Sequence, residues 1–160
     1  MSLPPRSIYH RPPGQRITER PPVDGIALRP LDDSDDAVLG RLMERAYAGT
    51  IDESLGDNSD GAVEIAGWRE RAVPEASFVA IKDDGVPVAA SLVAEGTDNT
   101  YWIAYVITDP GWKGRGLGTA VVAASLGVLD DAAVFAGVTD GNTPSERLLT
   151  SLGFVRTGPA

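Results

Sequence analysis

The run Lys113-Gly114-Arg115-Gly116-Leu117-Gly118 limits what this chain can become more than any other feature. Three glycines in five positions weaken helix and strand alike, so the run reads as a turn. Before it, Thr100–Thr108 is rich in Tyr, Trp, Ile and Val and predicts a central strand. After it, a helix is expected to about Leu129. Leu117, Ala120, Val121, Ala124 and Val128 mark one side and Val122, Leu126 and Leu129 the other, so this helix is buried against a sheet. A helix that begins at a glycine turn aims free N–H groups and the positive end of its dipole at one spot. Gly114, Gly116 and Gly118 let the backbone approach an anion there, and Lys113 and Arg115 add positive charge. By composition this is a pyrophosphate site; a glycine-rich turn that merely caps a helix is the plainer alternative.

Other phosphate loops fit poorly. Gly111 and Gly116 have Walker spacing, but Leu117 stands where that motif needs lysine. Gly114 and Gly116 are followed by Thr119, and only about 40 residues remain, too few for a doubly wound dinucleotide domain. A kinase glycine loop would sit early in a much longer chain.

The rest of the chain supplies a frame for that turn. Residues 1–25 hold six prolines and no periodicity and predict a basic, flexible tail, with residues 26–160 as a single domain. A short strand at Ile26 and Leu28 stops at Pro30. Asp32, Asp33 and Ser34 then cap a helix with Val38, Leu39, Leu42, Met43 and Ala46 on its apolar face. Gly49 to Gly61 reads as a polar loop, and a weaker second helix is expected over Ala62–Ala72, ended by Pro74. Ser77–Lys82, Val86–Glu95 and Thr100–Thr108 follow as strands joined by tight turns, an antiparallel meander. Ala133–Val138 is a short strand that completes a parallel crossover after the buried helix. The last helix is expected to start with Thr143 at the N-cap, Pro144 at the first position and Glu146 at the third, and to stop at Gly153.

These residues resemble the GNAT superfamily of N-acetyltransferases. The resemblance rests on Lys113 to Gly118 in the place of that family's Arg/Gln-x-x-Gly-x-Gly/Ala signature. Upstream, Val106-Ile107-Thr108-Asp109-Pro110 resembles its strand and acidic-proline turn. Downstream, Asn142, Ser145, Leu148, Gly153 and Phe154 have its spacing. It covers about residues 26–156. It implies an α/β fold, a mixed, mostly antiparallel twisted sheet of six or seven strands with helices on both faces. It also implies transfer of an acetyl group from acetyl-CoA to a primary amine of a small molecule or protein.

In that resemblance, Lys113, Gly114, Arg115, Gly116, Leu117, Gly118 and Thr119 bind the cofactor, the N–H groups of Arg115 to Thr119 holding its pyrophosphate. Val106, Ile107 and Thr108 pair with its pantetheine arm as an added strand. Asn142 and Ser145 lie beside the thiol end. Glu95 and Tyr105 are the nearest candidates for the proton acceptor, with Tyr101, Asp109 and Trp112 behind them. Two departures stand out: Lys113 replaces Arg or Gln, and Leu149 stands where many members carry a proton-donating tyrosine. A catalytically degenerate acyl-CoA-binding regulatory module is the alternative from another class, and a plain nucleotide-binding domain a third.

Composition narrows partners. There is no cysteine, which removes disulfides and thiolate metal sites, and His10 is the single histidine, so no metal centre is expected. Residues 1–22 carry a local +3, so the remaining chain holds −12 of the net −9 and is a poor match for nucleic acid. Neither an apolar span nor an export signal is legible, so a cytoplasmic protein is expected, without a membrane partner. The cluster Asp52, Glu53, Asp57, Asp60 and Glu64 is a candidate amine-recognition loop or an ordinary polar one. Only six residues follow Phe154. The family's final strand is therefore expected to be missing, or replaced by a partner chain or the proline-rich tail. An edge place is the most the tail is expected to fill, and an open edge would favour a homodimer.

Overall fold

The computed structural model describes residues 5–17, 23–49, 65, 67–129 and 132–160. Its strands are β1 Arg6–Arg11, β2 Ala27–Pro30, β3 Phe78–Ile81, β4 Pro87–Glu95, β5 Thr100–Thr108, β6 Ala133–Thr139 and β7 Val155–Pro159. They form one mixed sheet in the order β2-β3-β4-β5-β6-β1-β7. Three helices of more than one turn are described, α1 Asp36–Tyr47, α2 Leu117–Val128 and α3 Thr143–Ser151.

The helices cover both faces. α1 sets Leu39, Leu42 and Met43 against Ala90 and Leu92 of β4 and Tyr105 and Ile107 of β5. On the opposite face α2 sets Leu117 and Val121 against Ala80 and Ala89, and Val122 and Leu126 against Val93 and Ile103. Between them the hydroxyls of Ser125 and Ser91 meet at 3.3 Å in the dry interior, each giving the other a partner. The meander β3-β4-β5 is antiparallel, as its turn chemistry predicts.

The tail corrects the sequence reading. Arg6–Arg11 is a strand, and an interior one, antiparallel to β6 on one side and to β7 on the other. Prolines weigh against a strand only where they interrupt it. Here Pro4, Pro5, Pro12 and Pro13 flank a proline-free run of six residues. Ser7, Tyr9 and Arg11 alternate inward along it. Arg11 is 2% exposed, and its Nε donates to the Leu152 carbonyl at 2.9 Å at the end of α3. A final strand, β7, is also present after Phe154, and no place is open between β6 and β7.

Two smaller corrections concern helices. Asn142, not Thr143, is the N-cap of α3, its side chain accepting from the Ser145 N–H at 3.3 Å. Asn caps at least as well as Thr, and one residue earlier it still reaches the first turn. The second helix expected over Ala62–Ala72 lies partly outside the described residues; within it Ile65, Gly67 and Trp68 are helical, Arg69–Arg71 is a 3-10 turn, and Pro74 opens a further 3-10 turn. The loop from Gly49 to Gly61, with Asp52, Glu53, Asp57 and Asp60, lies outside them apart from Gly49, as does Glu64.

Candidate active site

β5 and β6 run parallel only where Thr100–Ile103 faces Ala133–Ala136. Beyond that point they part. β5 stays with β4, and β6 stays with β1, so Tyr105–Thr108 and Gly137–Thr139 face each other across a gap. A bulge marks the fork: Leu92 pairs with Tyr105 and Val93 with Ile103, leaving Ala104 as one extra residue on β5. An extra residue bends its strand and sharpens the twist, which turns β5 away from β6. It also changes which face each side chain meets, so Ile103 packs under α2 while Tyr105 packs under α1.

The glycine turn closes the open end of this fork. Gly116 is the N-cap of α2 with φ of +81°, and no side chain caps that terminus. The first-turn N–H groups of a helix have no partner within it. They are left to face the cleft at the positive end of the dipole. Gly118 has a different role. A Cβ there would lie 2.9 Å from Leu148 Cδ1 and 3.6 Å from Thr108 Oγ1, so any side chain would have to displace the end of Leu148 where α2, α3 and β5 converge.

The result is a cleft of about 860 Å³ between β5, the glycine turn and α3. Val106, Ile107 and Thr108 form one wall. Lys113, Gly114, Gly116, Leu117, Gly118 and Thr119 form its end. Asn142 and Ser145 line the α3 side. Arg115 does not line it; its guanidinium lies 4.4 Å over the Trp112 ring, where it fixes the aromatic beside the turn. A narrower cavity of about 80 Å³ continues past the bulge and shares Tyr47, Val106, Asn142, Ser145 and Leu148 with the cleft. Tyr105, 5% exposed, lines it, as does Leu149.

Glu95 stands apart. It ends β4 opposite Tyr101, is exposed, and lines neither cavity. Three residue steps separate Tyr101 from the bulge, about 10 Å along a strand. Asp109 serves the turn rather than the gap: its carboxylate accepts from the Gly111 N–H at 2.9 Å and from Arg45 at 3.1 Å. Those bonds, the backbone one first, hold its pKa below the usual carboxylate value.

Three lining residues were not legible as such in the sequence. Tyr47 is the last residue of α1 and enters through packing. Arg147 faces the cleft from α3, where helical spacing after Pro144 would have found it. Arg6 arrives with β1 and lines the narrow cavity.

The chain matches a known family. The model of the acetyltransferase (GNAT) family matches residues 43–154. A GCN5-related N-acetyltransferase from Sphaerobacter thermophilus superposes with a TM-score of 0.75 at 20% identity, over 98% of this chain and 50% of that one. The ribosomal-protein-S18-alanine N-acetyltransferase of Escherichia coli gives 0.67 at 18% identity, over 82% and 79%. The yncA protein of Salmonella typhimurium, solved with its cofactor acetyl-CoA, gives 0.65 at 22% identity, over 82% and 80%. The present chain thus spans about half the length of the first of these structures. No curated protein sequence matches it. With the family model running from within α1 to Phe154 and the forked sheet in place, the chain belongs to the GNAT acetyltransferase family.

Proposed function

We propose that this chain transfers an acyl group, acetyl in the simplest case, from acyl-CoA to a primary amine. The observation that carries the reading is the uncapped N-terminus of α2, set in one cleft with the unpaired edge of β5. An anion suits the first, and an extended amide-bearing chain suits the second. The backbone of Gly116 to Thr119 holds the pyrophosphate, helped by Lys113. Val106 to Thr108 pair with the pantetheine arm, and Asn142 and Ser145 flank its thiol end. When bound, acetyl-CoA supplies an activated thioester.

The protein's own contribution is position and dryness. The fork directs whatever lies along β5 toward the narrow cavity, where Tyr105, Leu149 and Ala104 exclude bulk water. The amine nitrogen bonds to the acyl carbon as the carbon–sulfur bond breaks. The amine gives up its proton, and the departing sulfur takes one. Tyr105 is the buried phenol at that point and is assigned the proton transfer at its Oη, directly or through water. Leu149 has no proton to give, so the sulfur is protonated by another group or by water.

That same Leu149, packed in the core at 4% exposure, favours one rival, a CoA-binding module without turnover. Release of free thiol from acetyl-CoA across a panel of amines, with mass spectrometry of the products, separates the two. Acylated amine supports the transferase. Stabilisation by coenzyme A with no product from any amine selects the module, and stabilisation by ATP or NAD instead removes both.

A further inference from the structure

The narrow cavity carries more than a thioester end requires, because β1 brings a cation into it. Arg6 is the register partner of Thr139, so their side chains share one face of the sheet. Gly137, two residues before Thr139, lies on that face too. The Arg6 Nη2 donates to the Gly137 carbonyl at 2.9 Å, and a Cβ on Gly137 would lie 3.3 Å from that nitrogen. Gly137 does not have a positive φ, so its backbone does not call for glycine. A strand glycine of that kind marks close approach by another group, here the guanidinium.

Arg6 makes no ion pair among the described residues. Elsewhere in the chain Arg29 and Arg45 are paired with Asp35 and Asp109, and Arg115 lies over Trp112. One carbonyl leaves most of its five-donor fork to solvent and to the cavity. Beside it, Thr139 is buried at 2% exposure and lines the same cavity, and its hydroxyl has no hydrogen-bond partner among the described residues. A buried hydroxyl in that state favours a ligand acceptor. Two donors of this kind, one a planar cation, suit a carboxylate.

Resting on the transferase reading above, we propose that Arg6, with Thr139, recognises a carboxylate carried by the acceptor amine. The acceptor class is then a small amino acid or a chain terminus bearing a nearby carboxylate, not a simple alkylamine or a polyamine. The strand that completes the sheet thereby also sets acceptor choice.

The test compares small amino acids with their carboxamides, using the full chain, acetyl-CoA and thiol release. The amide has the more available free amine, so that bias runs against the proposal. We expect kcat/KM to favour the carboxylate by about tenfold or more, a modest share of what a site loses when its buried polar groups are left unpaired. Arg6→Gln should lower kcat/KM for the carboxylate acceptor about tenfold more than for the amide. Arg6→Lys, which keeps the charge and loses the fork, should fall between. Equal use of both acceptors, or a preference that survives Arg6→Gln, overturns the proposal. A separate arm measures the melting temperature with the amino acid present, with and without coenzyme A. If no amine is acylated but the amino acid stabilises the wild type and not Arg6→Gln, carboxylate recognition stands and the transferase reading falls. If neither turnover nor stabilisation is seen, carboxylate recognition falls, and stabilisation by coenzyme A alone then decides for the binding module.

Discussion

Replacing Arg11 by methionine tests whether the first strand is part of the fold. Arg11 is buried, and its guanidinium donates to the Leu152 carbonyl at 2.9 Å and the Gln15 carbonyl at 3.1 Å. Methionine keeps much of the stem packing and removes both bonds. Hydrogen bonds made by a charged group contribute about 1.5–3 kcal/mol each, and water recovers part of the loss, so about 3 kcal/mol is expected. Total stabilities of about 5–15 kcal/mol make this a large share. For a domain of this size about 2–4 °C of Tm accompanies each kcal/mol, so Arg11→Met should lower Tm by about 6–12 °C. The exposed Arg16 is the control; Arg16→Met should stay within about 0.5 kcal/mol of wild type. Both are read by thermal and urea denaturation of the full chain. A loss under about 1 kcal/mol for Arg11→Met, or equal losses for the two variants, would show that the N-terminal strand is not integral to the sheet.

Other expectations follow from the cleft and its supports. Gly118→Val should weaken coenzyme A binding measured by calorimetry, since its side chain must displace the Leu148 Cδ1 that lies 2.9 Å from its Cβ, while overpacking costs about 1–3 kcal/mol of stability. Unchanged affinity in a folded variant would remove the close approach from the binding account. Asp109→Asn should lose about 0.5 kcal/mol near neutral pH, the scale of a partly exposed ion pair. Because the folded pKa of Asp109 is depressed, its stabilisation is present above the ordinary carboxylate pKa and fades as pH falls through the folded value. The variant and wild type should therefore converge in acid, and a gap that widened there would contradict the assignment. Leu149→Ala should cost about 2–5 kcal/mol, because Leu149 is a core side chain, without altering the pH dependence of any acyl transfer. A changed pH profile would point to a role in proton transfer.

Much of this molecule is local enough to be read residue by residue. The glycine turn, the helix that follows, the β3-β4-β5 meander and the capped α3 each depend on neighbours within a few positions. The propensities of Thr100–Thr108 and the stop at Gly153, with φ of +93°, were sufficient. Eleven of the twelve residues expected at the cofactor site line the cleft. The cap of α3 slipped by one residue because Asn142 and Thr143 are both competent and only the folded backbone selects between them.

What lay beyond the sequence was long-range. Arg6–Arg11 has no hydrophobic run to announce it, and its strand exists because β6 and β7, more than 120 residues away, offer unpaired edges on both sides. The bulge at Ala104 is likewise a matter of register between strands, and it decides that Ile103 packs under α2 while Tyr105 packs under α1. Local sequence thus determined the elements and the glycine turn that opens α2, since torsional preference and helix polarity act over a few residues. Strand pairing decided which distant side chains share a cavity, because backbone donors and acceptors are satisfied only between segments that tertiary folding brings together.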